Sequence, residues 1–133
     1  MKYVLITGSS GLVGSEAVNF FIKKKFKIIT VDNNLRKYFF GKNADTNWQK
    51  KNQIKKFKNE IIHNSVDIRN YRKMTDIFFK YKKKIRCIIH AAAQPSHDWA
   101  YKEPILDFDV NAKATLHLLE CTKKFCPKAT FIY

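Results

Sequence analysis

The stretch "YVLITGSSGLVG", residues 3–14, decides how this chain folds. Its first half, Tyr3 to Thr7, is a short unbroken apolar run. Such a run suits a parallel strand buried on both faces rather than an amphipathic strand, which would alternate. Glycines then stand at 8, 11 and 14, and Val13, Ala17, Phe20 and Phe21 follow at helical spacing until Lys23–Lys25. A strand, a glycine turn and a helix in direct succession form a phosphate-binding arrangement. Gly8 permits the tight turn, Gly11 lets a pyrophosphate approach the backbone, and Gly14 lets the helix pack on the strand. The first N–H groups of such a helix, and the positive end of its dipole, face the anion.

The next run, "FKIITVD" (26–32), predicts a second strand that ends in Asp32. A carboxylate at that point of a β–α–β unit accepts from the ribose hydroxyls of NAD and repels the 2′-phosphate of NADP. Arg36, four residues on, pulls toward NADP; the balance favours NAD.

The alternation continues outward. Residues 33–45 read as irregular. A polar helix is expected from about Thr46, with Trp48 and Ile54 facing inward. "EIIHNSVD" (60–67) holds a third strand. Met74, Ile77, Phe78 and Tyr81 mark one face of a helix over 70–82. "IRCIIHAAA" (85–93) is a fourth strand. Pro104 suits a helix start, and Ile105, Phe108, Ala112, Leu116 and Leu119 carry the apolar spacing toward Cys126, with Pro127 as the stop. "KATFIY" (128–133) begins a fifth strand. The pattern predicts one α/β domain over 1–133: a Rossmann-type, doubly wound parallel sheet with about five strands, truncated before the later strands.

Composition sets limits. The chain has 133 residues and is 45% hydrophobic, enough for one buried core. Its apolar runs are far shorter than the roughly 18 residues of a membrane span, and no signal-peptide pattern opens it. These features, with three cysteines in no framework spacing, predict a cytoplasmic protein with reduced thiols. Cys121, Cys126 and His117 lie too unevenly for a metal set, so no metal is expected. The formal net charge is +15, and 21 of the 26 basic residues precede Cys87. A polyanion partner such as nucleic acid is one reading of that charge. Only 4 of the 26 are arginine, the residue suited to bidentate base contacts, which favours solvated lysines instead.

Five motifs in order resemble the extended branch of the short-chain dehydrogenase/reductase superfamily, the NAD-dependent nucleotide-sugar epimerases and dehydratases. "TGSSGLVG" is similar to its glycine motif, and "VDNN" to the acid and asparagine after strand two. "VDIRN" (66–70) is similar to its segment after strand three, and "IIHAAAQPSHD" (88–98) to that after strand four. "DFDVNAKATLHLLE" (107–120) resembles its helix signature, with Lys113 and Ala114 around the usual glycine position. Two stretches, "NNLRKYFFGKNADTNW" and "AAAQPSHDWA", are most similar to the CDP-paratose 2-epimerase group within that branch.

The resemblance implies NAD as cofactor, held by Gly8, Gly11, Leu12, Val13, Gly14, Asp32, Asn33 and Arg36. Asp67 and Ile68 would lie at the adenine, and Ala91, Ala92, Ala93 and Gln94 along the nicotinamide-side ribose. Ser96 and His97 would rim the sugar site. Against that, "QPSHD" is also a plain helix-capping turn. His90 reads as a structural histidine and Asn111 as a helix residue bonding a neighbouring backbone. The implied partners are a nucleotide-sugar substrate and, for the full-length protein, a second copy in a homodimer; no membrane or nucleic-acid partner is implied.

The branch's acid/base residues, a Ser or Thr after strand five and a Tyr-x-x-x-Lys on the next helix, have no counterpart in place. "YFFGK" (Tyr38–Lys42) has the spacing but precedes strand five and contains Gly41. No catalytic residue is therefore expected in these 133 residues, which are expected to be the inactive N-terminal part of such an enzyme. The rival expectations are a non-catalytic nucleotide-binding module and, less favoured, a basic nucleic-acid binder.

Overall fold

The computed structural model describes residues 1–133. Five parallel strands form its centre: β1 (Tyr3–Thr7), β2 (Lys27–Val31), β3 (Ile61–Asn64), β4 (Ile85–His90) and β5 (Thr130–Ile132). Their order is β3-β2-β1-β4-β5. The first two crossovers move one way from β1 and the chain then returns to its other side, so the order reverses between β1 and β4. Ligands bind at the carboxyl ends of the strands at such a reversal.

The helices are α1 (Leu12–Lys23), α2 (Leu35–Phe40), α3 (Asn47–Lys56), α4 (Tyr71–Tyr81), α5 (His97–Lys102), α6 (Pro104–Phe108) and α7 (Ala114–Phe125). Strand residues alternate between the two faces. Leu5, Ile29 and Ile88 pack with Met74 and Phe78 of α4 and Ala114 and Leu118 of α7. Val4, Ile6, Ile28 and Ile89 pack with Val18 of α1 on the other face. All the named strand residues except Ile89, which keeps 9% exposure, have no accessible surface. Their unbroken apolar runs follow from that two-sided cover. The face expected on α4 is the one buried: Met74, Ile77, Phe78 and Tyr81.

Several expectations are corrected. Residues 33–45 are not wholly irregular: α2 forms there and stops at Gly41, whose φ of 78° favours glycine. On α3 the inward residue is Gln53, at 6% exposure, while Trp48 and Ile54 are exposed. On α1, Val13 and Phe20 point outward and Val18 inward. β4 ends at His90, and the alanines after it are loop. The long helix expected from Pro104 is broken by a π-helical turn, Asp109–Lys113. Its inward residues are Val110, Ala114, Leu118 and Cys121, whereas Ile105, Phe108, Leu116 and Leu119 are exposed. The wider π turn shifts the register of one helical face against the other.

The lysine runs gather at helix ends. Lys23, Lys55–Lys56 and Lys123–Lys124 close α1, α3 and α7, and Lys82–Lys84 follow α4. Cations are favoured at these negative dipole ends. In a parallel sheet those ends lie opposite the carboxyl ends of the strands, so these lysine runs are remote from the strand reversal.

Candidate functional site

A cavity of about 300 Å³ opens at the reversal point. The turn after β1 forms its floor. Gly8, at φ 64°, donates its N–H to the Val31 carbonyl (2.9 Å) and so ties β1 to β2. The Gly11 N–H closes the turn on the Gly8 carbonyl at 3.0 Å. No side chain caps α1, and no acid lies in its first turn. A helix end left this way offers N–H groups and positive potential to an anion. A Cβ on Gly14 would fall 2.1 Å from the Gly8 oxygen, so glycine there sets the distance between helix and turn.

Asp32 stands one residue past β2. Its carboxylate accepts from the Ser10 N–H (2.9 Å) and the Asn34 N–H (2.8 Å). It therefore has a structural task that spacing alone does not reveal: it fastens the glycine turn to β2. Each of its oxygens keeps acceptor capacity. Gln53 braces the same turn from below, its amide donating to the Ser9 carbonyl at 3.0 Å.

Asp67, after β3, is bound by Arg69 through Nη2 (2.7 Å) and Nε (3.0 Å) and by Asn33 Nδ2 (3.0 Å). Burial pushes its pKa up, but the Arg69 side-chain and backbone hydrogen bonds outweigh this and leave it lowered. Arg36 has no carboxylate partner and stacks on Phe40, 5.4 Å from the ring centroid.

Of the expected cofactor residues, the structure brings Gly8, Gly11, Leu12, Val13, Gly14, Asp32, Asn33, Arg36, Asp67, Ile68, Ala91, Ala92 and Ala93 to the cavity wall. Gln94 is not among them. It is 4% exposed, and its amide is turned away to Asp107 Oδ1 (2.8 Å) and the Ser96 carbonyl (2.9 Å). Ser96 caps α5, accepting from the Trp99 N–H at 3.3 Å, and His97 is exposed; neither lines the cavity. The wall also includes Leu35, Phe39, Phe40 and Thr46, which sequence reasoning missed. The i, i+4 spacing of Leu35 and Phe39 was the available signal. Tyr38 and Lys42 stand outside the wall, with Gly41 turning the chain between them.

Behind the wall, polar side chains link β1, β4 and the π turn. Ala92 N–H donates to Thr7 Oγ1 (3.3 Å), which lies 2.7 Å from His90 Nδ1. His90 Nε2 lies 2.9 Å from Thr115 Oγ1, whose proton goes to the Asn111 carbonyl (2.7 Å). Since Thr115 spends its proton on that carbonyl, it accepts from Nε2–H, and Nδ1 accepts from Thr7. Burial pushes the His90 pKa down to about 4, so it is neutral at pH 7. Asn111 in turn accepts from the Gln94 N–H (2.8 Å) and donates to its carbonyl (2.9 Å), bonding a neighbouring backbone. The thiols are poorly placed for chemistry: burial raises all three pKa values, that of Cys126 to about 11.

Comparison with known proteins agrees with this geometry. The profile of a family described as GDP-mannose 4,6 dehydratase matches residues 5–133. CDP-paratose 2-epimerase of Salmonella typhi is 30% identical over 130 residues, which are 98% of this chain and 35% of that protein. The UDP-glucose 4-epimerase of Thermotoga maritima, solved with UDP-glucose, superposes with a TM-score of 0.71 at 26% identity, covering 92% of this chain and 34% of that one. The UDP-glucose 4-epimerase of Thermus thermophilus, solved with NAD, gives 0.70 at 25% identity over 92% of this chain and 34% of its own. The chain thus spans about a third of the length of the relatives it matches.

Proposed function

The chain belongs to the GDP-mannose 4,6 dehydratase family, and from that premise we propose that it is the NAD-binding part of a nucleotide-sugar epimerase or dehydratase. The single observation that carries the reading is the glycine turn held against Asp32. An uncapped helix end, a turn whose Gly11 leaves backbone open, and a carboxylate with spare acceptor sites stand around one cavity. These residues fit a dinucleotide: the turn and α1 for the pyrophosphate, Asp32 for a ribose diol, and Ile68 beside Asp67 for the adenine. Ala91 to Ala93, which present no bulk, suit the nicotinamide-side ribose. NAD, when bound, supplies a hydride acceptor that returns the hydride within the same turnover.

No Tyr–Lys pair stands at this cavity, so these 133 residues are proposed to bind cofactor without turning over substrate. For a protein of the relatives' length, the two stretches shared with the CDP-paratose group favour a 2-epimerase, with Ser96 and His97 at the mouth of the sugar site. Lysine runs at helix ends, remote from the cavity, favour solvated charge over a nucleic-acid site.

The test is thermal stability with cofactor in excess. A ligand that binds only the native state stabilises it by mass action. NAD is expected to raise the melting temperature by several degrees, NADP by less, and Asp32→Ala to narrow the difference. NADP stabilising as well as NAD would overturn the assignment of Asp32.

A second copy is the proposed partner of the outer face of α6, the π turn and α7. Ile105, Phe108, Ala112, Leu116 and Leu119 lie exposed there at steps of three, four, four and three, a palindrome about Ala112. A two-fold axis needs a self-complementary patch, and a small central residue lets two helices approach. Sedimentation at micromolar concentration should give a dimer, and Leu116→Glu a monomer. A wild-type monomer would remove the assignment.

A further inference from the structure

The segment between β2 and α3 is closed on itself and then fastened across the cavity. Asn34, at φ 59°, accepts from the Thr46 N–H (3.0 Å) and Thr46 Oγ1 (3.1 Å) and donates to Asp45 (3.0 Å). Lys37 pairs with the same Asp45 at 3.1 Å. The resulting loop carries α2, whose Phe39 lies 6% exposed against the cavity.

On the opposite side, Trp99 of α5 reaches this loop. Its Nε1–H donates to the Phe39 carbonyl at 2.8 Å, and its ring meets Phe39 at 5.4 Å and Tyr38 at 5.5 Å. Tyr38 adds a hydroxyl contact to Glu103 at 3.3 Å. Trp99 is itself fixed: Ser96 caps its helix, and Gln94 fastens the preceding loop to Asp107 and Asn111. A segment after β2 and a segment after β4 are thus joined over the carboxyl end of β1, which lies between them. Trp99 does not line the cavity; it touches the residue that does.

We propose that Trp99 is a positioning residue which holds Phe39 and α2 as the wall over the ribose side of the cavity and so sets how long a dinucleotide stays bound. The inference rests on the NAD reading above. It follows from geometry. Release past Asp32 requires α2 to swing out, and that motion breaks a buried-ring contact and a hydrogen bond to the backbone. Entry before closure does not require the bond, so dissociation changes more than association.

The test uses the whole chain with NADH as probe, its fluorescence followed after rapid mixing with excess NAD. Trp99→Ala is expected to raise the dissociation rate about tenfold and change association less than about twofold, from the loss of one hydrogen bond and the ring packing. Trp99→Phe keeps a ring but lacks the donor; it should melt close to wild type and still dissociate roughly threefold faster. Should Trp99→Ala fail to fold, Trp99→Phe decides alone. Unchanged dissociation from the folded variants overturns the inference and leaves the NAD reading standing. Wild-type chain that binds no NADH overturns both.

Discussion

Alanine at position 14 is expected to destabilise this domain far more than alanine at position 11 of the same glycine turn. A Cβ there would lie 2.1 Å from the Gly8 oxygen, 2.7 Å from the Gly8 carbonyl carbon and 2.9 Å from the Ser9 Cα. All three are backbone atoms, so no rotamer relieves the clash; either α1 must lift from the turn or the turn must unwind. Overpacking of this kind costs about 3 kcal/mol at the upper end of the usual range. That corresponds to a fall in melting temperature on the order of 10 °C. Gly8→Ala should match it, because φ at Gly8 is 64° and the added carbon would meet Ala91 and Ala92 backbone at 2.7 Å. Gly11→Ala is the control. Its nearest neighbour is the Gly8 oxygen at 3.3 Å, which needs a shift of only tenths of an ångström. It should fold and lose most of its stabilisation by NAD, since its side chain would stand where the phosphates approach. Thermal melts of the three variants, with and without NAD, check the ranking; Gly14→Ala melting with Gly11→Ala would refute the packing account.

This turn was legible in the sequence because its physics is local. Three glycines, a buried strand and an acid each answer a backbone demand within 32 residues. The sheet was legible for a related reason: strands covered on both faces have little choice but to be apolar throughout. Legibility failed where the demand came from elsewhere in the fold. Gln53 goes inward because the Ser9 carbonyl needs a donor, and nothing in the composition of α3 announces that need. Apolarity alone sends Trp48 and Ile54 inward, yet exposed apolar side chains are ordinary. α2 has six residues, and one i, i+4 apolar pair, Leu35 and Phe39, is too little to set it apart from irregular chain. From Ile105 to Cys121 the chain carries two apolar stripes, and both keep steps of three and four. Periodicity cannot choose between them; packing on Met74 and Phe78 does. At the site, the positions read from the sequence line the cavity as far as Ala93. Gln94 is near the cavity in sequence, but an amide with a carboxylate and a carbonyl in reach turns toward them instead.

Acid is expected to loosen the fold through His90, well above the range where most carboxylates titrate. The ring is 8% exposed, both nitrogens are partnered by threonine hydroxyls, and no charged group is among the causes of its lowered pKa. Burial alone depresses it from 6.5 to about 4. The unfolded chain therefore binds a proton below pH 6.5 that the native state refuses until about pH 4. Where the unfolded state holds more protons, stability rises with pH. The contribution of His90 is thus complete above pH 6.5 and falls away between 6.5 and about 4, by about 3 kcal/mol in all at about 1.4 kcal/mol per unit. His63 acts in the same direction, its pKa lowered by burial and then by Lys50 against the opposing pull of Asp32. Protonating His90 would also cost Nδ1 its acceptor role toward Thr7, and Thr7 receives the Ala92 N–H at the cavity wall. Urea unfolding at intervals from about pH 7.5 to 4.5 measures the slope. His90→Asn should be less stable than wild type at the upper end of that range, because a shorter side chain cannot reach both threonines, and it should show a shallower fall toward the acid end. An equally steep fall in the variant would place the acid sensitivity elsewhere and leave His90 a packing residue only.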